Sequence, residues 1–236
     1  MTEKPIIFSA PMVRAILNGT KSQTRRIIKP QPPEDWCPSV GMYAPSLVCK
    51  RTGCLFPGAE VFGASDENFD SKSPWRPDDR LWVKETFWCW GRWRKNGITK
   101  TGRQKWRFVA HPNKDVCYQG EIVFQPKNRE TVGFWTRPSI FMPRWASRIT
   151  LRITNIRVER LQDISEADAK AEGCEAIAGN DAEYIPIDIL KRLPNLETPT
   201  FTLGYALLWD SLNEKRGFGW DTNPWVWVVE FERVKQ

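Results

Sequence analysis

The sequence contains a single histidine and no long apolar run. His111 stands in a loop-like His-Pro-Asn stretch, and a Ser-His-Asp or Cys-His nucleophile system would have to depend on it. We therefore expect no histidine-based catalysis. Because no stretch of about 18 apolar residues occurs, the sequence also predicts no transmembrane helix and no membrane partner.

Metal and nucleotide-triphosphate motifs are missing as well. Structural zinc sites usually show two tight cysteine pairs, or cysteine with histidine, and only Cys49-x4-Cys54 with nearby Cys37 approaches that pattern. There is no Walker loop and no G-x-G-x-x-G fingerprint. We predict no metal and no cofactor. The scattered cysteines and the short N-terminal apolar stretch Ile6–Phe8 predict reduced thiols, no signal peptide and a cytoplasmic protein.

Charged residues are numerous, but basic and acidic residues are unevenly distributed along the chain. Residues 1–150 hold 25 Lys and Arg against 13 Asp and Glu, whereas residues 151–236 hold 10 against 15. A basic surface of this size attracts phosphate backbones, although many proteins are mildly basic without such a partner. The chain also has 13 Trp, which either pack in a core or stack on bases.

The apolar patterning predicts an α+β protein. Strands outnumber helices, and we expect one domain over residues 1–236, with a central β-barrel-like sheet. Residues 31–78 lack periodicity and are interpreted as a long irregular surface insertion, and Asn96-Gly97 predicts a hairpin turn. The expected strands cover residues 5–8, 79–87, 108–110, 121–124, 149–159 and 224–231, and the expected helices cover residues 10–18, 166–172 and 202–213.

A basic arm follows the strand at residues 79–87. Residues 88–107 include seven basic residues, four Trp and no acidic residue. Such a stretch is typical of contacts with phosphates and bases. Arg92, Arg94 and Lys95 are its candidate nucleic-acid-binding residues.

A second polar cluster, Gly19–Arg26, directly follows the first helix. A partly desolvated Lys21 can act as a base, and a Thr24 hydroxyl beside it can act as a nucleophile. Arg25 and Arg26 can hold a phosphate or stack on a base. The alternative is a solvated basic strand end.

These residues resemble the ASCH domain, a member of the PUA-like superfamily. The first motif is Gly19-x-Lys21-x-x-Thr24-x-Arg26. Asp79–Val83, Ile164–Gly173 and Trp225–Phe231 resemble three later family segments in the same order. The spacing is similar to that of phage or prophage members, so a phage-encoded chain would lie in the host cytoplasm. Residues 31–78 and 89–137 have no counterpart in the family.

The resemblance implies a PUA-like β-barrel with flanking helices and a cleft for RNA or a nucleoside. Some members are amidohydrolases that deacetylate N-acetylated cytidine, and their catalytic Lys, Thr and Glu match Lys21, Thr24 and Glu172. Trp82 and Trp145, beside matched segments, are candidate stacking residues, as is Trp227, with core packing as the alternative. The alternatives to a hydrolase are a non-catalytic module for RNA or modified DNA and a phage–host interaction protein. A ribonuclease is less favoured.

Overall fold

Helices and strands with strong local sequence patterns form close to their expected positions. The structure is a computed structural model, and it describes residues 2–49, 51, 53–118, 121, 124–178 and 200–234. The strands are β1 (Glu3–Ile7), β2 (Gln23–Ile27), β3 (Ser39–Tyr43), β4 (Ser46–Val48), β5 (Leu55–Pro57), β6 (Val61–Ser65), β7 (Asp70–Lys72), β8 (Arg80–Lys84), β9 (Phe87–Ile98), β10 (Gln104–Ala110), β11 (Val116–Tyr118), β12 (Gly133–Arg137), β13 (Thr150–Arg160) and β14 (Trp225–Arg233). The α-helices are α1 (Ala10–Leu17), α2 (Glu166–Ala171) and α3 (Phe201–Asn213). The α+β class is confirmed.

The chain divides into two compact units. The first unit comprises residues 15–79 and 152–233, and the second comprises residues 2–14, 80–151 and 234. Each unit is built from segments that are distant in sequence, so neither corresponds to a continuous stretch of chain.

The first unit is organised by β13, β14 and β2, which lie side by side in that order. β14 and β2 are antiparallel, with Val229 opposite Thr24 and Val226 opposite Ile27. One face of these strands carries Val226 and Val228, which pack with the buried side chains of α2 and α3. Burial of this apolar face fixes the two helices against the strands.

Local capping explains where these helices begin and end. The Ser165 hydroxyl accepts a hydrogen bond from the Asp168 amide at 3.1 Å, as expected for the first residue before α2. Gly173, just beyond α2, has a φ of +79°, the left-handed conformation that glycine adopts most easily. The Thr200 hydroxyl caps α3 by accepting from the Leu203 amide at 3.2 Å.

The second unit contains the parallel pair β1 and β8 and a sheet in which β9 is the longest strand. β10, β11 and β12 all pair antiparallel with β9. Phe87, Cys89, Met142 and Ala146 form its buried cluster. The expected strand at residues 108–110 is the end of β10.

Three expectations about the fold are wrong: the closed β-barrel, the irregular segment at residues 31–78 and the hairpin turn at Asn96-Gly97. The described sheets are open rather than closed into a β-barrel. The segment 31–78 is not irregular, because it contains β3 to β7, arranged as a three-stranded and a two-stranded sheet. The strands β3 to β7 have three to five residues each, and β4 and β5 are exposed throughout. Because they are so short and exposed, the sequence shows no alternation of apolar and polar residues that would predict a strand there.

The hairpin between β9 and β10 is confirmed, but its turn is not at Asn96-Gly97. The chain reverses at residues 99–103, where the Thr99 amide bonds the Arg103 carbonyl at 2.8 Å. The pairing register shifts between Gln104 and Trp106, and Gly97 has a φ of +77°. Asn96-Gly97 therefore forms a bulge, which uses the same left-handed conformation as a tight turn.

Two further expectations concern the strand at residues 121–124 and the presence of a transmembrane helix. Ile122 and Val123 of the expected strand 121–124 lie outside the described residues. Among the residues that the structure does describe, none belongs to a helix with the length and apolar character needed to cross a bilayer.

We expect Gly173→Ala to lower the free energy of unfolding by about 2–4 kcal/mol. A non-glycine residue in the left-handed region costs about 1–2 kcal/mol, and the new Cβ would lie 2.8 Å from the Ala15 Cβ and 2.9 Å from the Lys21 Cβ, adding an overpacking cost. Gly19→Ala is the matched control, because Gly19 has a φ of +78° with no atom within 4 Å. Urea unfolding measures both. Equal losses for the two variants would contradict the close approach at Gly173.

Candidate functional site

The end of α1 and the end of α2 meet at Lys21 and Glu172. The amides of Thr20 and Lys21 both donate to the Ala15 carbonyl, at 2.9 Å and 3.2 Å, and turn the chain after the helix. Lys21 and Glu172 then form an antiparallel backbone bridge, and the Ser22 amide donates to the Ala171 carbonyl at 2.9 Å. The backbone therefore fixes the two side chains beside each other.

Lys21 and Glu172 form a buried ion pair. The Lys21 Nζ lies 2.6 Å from the Glu172 Oε2 and also donates to the Glu172 carbonyl oxygen at 2.7 Å. Their side chains are 0% and 3% exposed. Two charges removed from water in this way are stable only when they are closely paired and hydrogen-bonded.

Arg25, on β2, adds a second cation to this pair. Its Nη1 lies 3.4 Å from the Glu172 Oε1, and its Nη2 lies 3.0 Å from Glu159 and 3.4 Å from Asp168. Gln23 donates to the Asp168 carbonyl at 2.7 Å. Since alternate residues of a strand share a face, Gln23 and Arg25 both point toward α2.

Arg157 connects the remaining carboxylates. It donates to Asp168 at 2.9 Å and also binds Glu159 and Glu230. Burial by itself lowers the pKa of Arg157, but Glu159 and Asp168 raise it overall. Burial likewise raises the pKa of Asp168, but the charges of Arg157 and Arg25 bring it below its ordinary value. Asp168 and Arg157 therefore stabilise each other in their charged forms.

The charge of Glu172 also acts on Arg26, Tyr205 and Cys174. Burial lowers the pKa of Arg26, and the charge of Glu172 partly restores it. Burial and the negative charge of Glu172 raise the pKa of Tyr205 well above its usual range and that of Cys174 to about 12. Tyr205 and Cys174 thus stay neutral near pH 7, which excludes Cys174 as a thiolate nucleophile.

Thr24 is brought into the same region but is not joined to Lys21. Its side chain is buried in β2, and it alternates with Gln23 and Arg25, so it leaves the strand on the opposite face. The Lys21 ammonium instead donates to Glu172.

The other candidate residues lie in the second unit. Arg92 and Arg94 are exposed on β9, and Lys95 lies 3.6 Å from Glu130. Trp82 is half-buried under the Lys84 ammonium, 5.5 Å from its ring centroid, and the 44%-exposed Trp145 contacts Lys114 at 5.6 Å.

Two expectations remain, which concern Trp227 as a stacking residue and groups of metal-binding side chains. Trp227 is only 3% exposed, which agrees with the alternative of core packing. Residues 2–49, 51, 53–118, 121, 124–178 and 200–234 contain no group of three or more His, Cys, Asp or Glu side chains suited to a metal ion.

Several members of the cluster were not identified from the sequence. Asp168 stands four residues before Glu172, a spacing that places both on one side of a helix, and Arg157-x-Glu159 puts two charges on one face of a strand. The spacing of these charged residues along α2 and β13 was the available signal. Tyr205 gave no signal of this kind, because it looks like an ordinary core residue of α3.

We expect Lys21→Met to lower the free energy of unfolding by about 3–5 kcal/mol, because it leaves the Glu172 carboxylate buried without its ammonium. Adding Glu172→Gln should recover part of that loss. Lys95→Met, which breaks the exposed pair with Glu130, is the control and should cost less than about 1 kcal/mol. Urea unfolding measures all three. A Lys21→Met cost no larger than that of Lys95→Met would contradict the buried pair.

The Asp168 carboxylate should make stability depend on pH. Its folded-state pKa lies below the ordinary 3.8, so its contribution is present above that value and is lost as the pH falls through the folded-state pKa. The difference in melting temperature between wild type and Asp168→Asn should therefore be largest near pH 7 and shrink below about pH 4. Asp35→Asn, which removes an exposed carboxylate, is the control. A difference that stays constant to pH 2 would refute the charge interaction.

Comparisons with known proteins identify no family for the chain, so the chemistry of this cluster is inferred from its own residues. No protein-family model matches the chain. Neither a curated protein nor a solved structure matches it.

Proposed function

We propose that this chain is an ASCH-type protein of the PUA-like superfamily that binds a nucleoside or nucleic acid and hydrolyses an N-acylated cytidine. The observation that supports the proposal is the contact between Lys21 and Glu172. These residues are 151 positions apart, come from two separate motifs of the family resemblance, and lie 2.6 Å from each other in a buried position.

The pair provides a route for proton transfer. Movement of one proton from the Lys21 ammonium to the Glu172 carboxylate, across 2.6 Å, leaves a neutral amine as the base. Because Thr24 leaves β2 on the opposite face, the step requires a rearrangement on substrate binding that brings the Thr24 hydroxyl to this amine, which then accepts its proton. The Thr24 oxygen then attacks the acyl carbon, and the carbon–nitrogen bond breaks. Glu172 gives its proton to the leaving amino group, which restores the ion pair. Water hydrolyses the acyl-threonine ester and releases the carboxylic acid.

A nucleoside panel tests this function. Wild type should release cytidine from N-acetylcytidine, and Thr24→Val should lower kcat at least 100-fold, because it keeps the shape of the side chain but removes the nucleophile. Glu172→Gln should lower kcat by about 10²–10⁴, the usual range for acid–base groups.

Ser22→Ala is the matched control for the panel. Ser22 is an exposed hydroxyl two positions from Thr24, and its loss should leave kcat unchanged. Melting temperatures identify any variant that fails to fold. Activity retained in Thr24→Val, or absent from folded wild type with every acyl cytidine tested, would overturn the hydrolase proposal.

A second candidate function is a binding module without catalysis. It is favoured by the orientation of Thr24, which leaves β2 on the face opposite Gln23 and Arg25, and by the engagement of the Lys21 ammonium with Glu172. The same residues would then hold RNA or modified DNA. Calorimetric titration with the nucleoside panel separates this function from the hydrolase, since it requires binding without turnover.

A further inference from the structure

The hairpin of β9 and β10 divides its basic residues between two faces. Arg92, Arg94, Lys105 and Arg107 are all exposed, and the strand positions between them hold the half-buried Trp93 and Trp106. Since strand side chains alternate between faces, these four cations share one face, which we call the arginine face. Lys95 is opposite Trp106 and lies on the other side.

Packing on the reverse side holds the arginine face outward. Trp93 and Phe108 meet edge to face with ring centroids 5.4 Å apart. The Arg137 guanidinium covers both rings, at 4.9 Å and 4.6 Å, and Arg129 lies 5.6 Å from the ring of Trp106. These aromatic and cation–π contacts fix the orientation of the hairpin.

In the described part of the chain, no acidic side chain compensates the charge of the arginine face. Arg94 and Arg107 are direct cross-strand partners, an arrangement in which like charges destabilise a sheet. Among the residues that the structure describes, the four cations of this face form no ion pair, whereas Lys95 is paired with Glu130. Residues 80–151 contain 15 Lys and Arg against 4 Asp and Glu, so nearby acidic side chains are scarce.

We propose that the arginine face binds the phosphodiester backbone of a single-stranded nucleic acid. Arg92 and Arg94 are two positions apart on a strand, which places them about 6.6–6.8 Å apart, and Arg107 widens the row across the hairpin. Guanidinium groups bind phosphate oxygens through two parallel hydrogen bonds. A row of such groups suits a repeating polyanion, and neutralisation would relieve the repulsion between Arg94 and Arg107.

Trp93 and Trp106 belong to the reverse side, and Trp88 and Trp90, which share the face of Arg92 and Arg94, are half-buried. Trp90 packs edge to face against Phe134, with ring centroids 5.0 Å apart. Binding should therefore follow the backbone rather than the bases and show little sequence preference. The inference goes beyond the proposed chemistry at Lys21 and Glu172, because it concerns a polymer. A nucleoside carries no phosphate, so turnover of nucleosides and binding of oligonucleotides succeed or fail separately.

The salt dependence of oligonucleotide affinity tests the proposal. Fluorescence anisotropy with a labelled 15-nucleotide RNA and a DNA of the same sequence gives the slope of log K against log salt. Each phosphate contact in a single strand contributes about 0.7 to this slope. The variant Arg92→Gln/Arg94→Gln/Arg107→Gln should flatten it by about 2, through the loss of three such contacts.

A variant with the same loss of charge serves as control. Arg14→Gln/Arg80→Gln/Lys127→Gln removes three exposed cations of the second unit that lie outside the β9–β10 hairpin, and it should leave the slope near the wild-type value. Similar slopes for RNA and DNA support recognition of the phosphodiester backbone, and binding of RNA alone would assign the contact to ribose as well.

Two results would overturn the inference. One is a slope that is the same in wild type and in the triple arginine variant. The other is a polyglutamate peptide, or vesicles of phosphatidylserine, that bind wild type more tightly than the oligonucleotides and lose that affinity in the triple arginine variant. That outcome would assign the face to an acidic protein or a membrane surface.

Discussion

The buried ion pair between Lys21 and Glu172 is the interaction on which the candidate site depends. Neither charge reaches water, so each is stable in the interior only because the other lies 2.6 Å away. The pair ties the end of α1 to the end of α2, and Gly173 is required beside it because a Cβ would collide with Ala15 and Lys21. Arg25 provides a second cation for the same carboxylate.

The two basic regions of the chain differ in how their charge is balanced. The cluster around Lys21 contains its own carboxylates, and this matching makes burial of so many ionised groups feasible. The arginine face of the β9–β10 hairpin is exposed and lacks acidic partners among the described residues. The first arrangement suits proton transfer or the recognition of a small ligand, whereas the second suits contact with an external polyanion.

Much of the fold was predictable from local signals. Ser165 and Gly173 marked the ends of α2, and the apolar runs of β13 and β14 marked the two longest strands of the first unit. The strands β3 to β7 were not predicted, because they are short and mostly exposed and therefore lack apolar alternation. The open form of the sheets was not predictable either, because closure depends on which strands pair at the edges, and each strand has the same local pattern in either case.

By itself, the sequence determined which residues approach each other through local chemistry: a first helix that ends before Gly19, a capped helix that ends before Gly173, and a hairpin that begins with the strand at Phe87. Only the tertiary structure decided which charges are paired. It joined Lys21 to Glu172 across 151 positions, turned Thr24 to the opposite face of β2, and separated Lys95 from Arg94. The physical reason is that side-chain partners follow from strand pairing and face, which long-range contacts set and local sequence patterns do not encode.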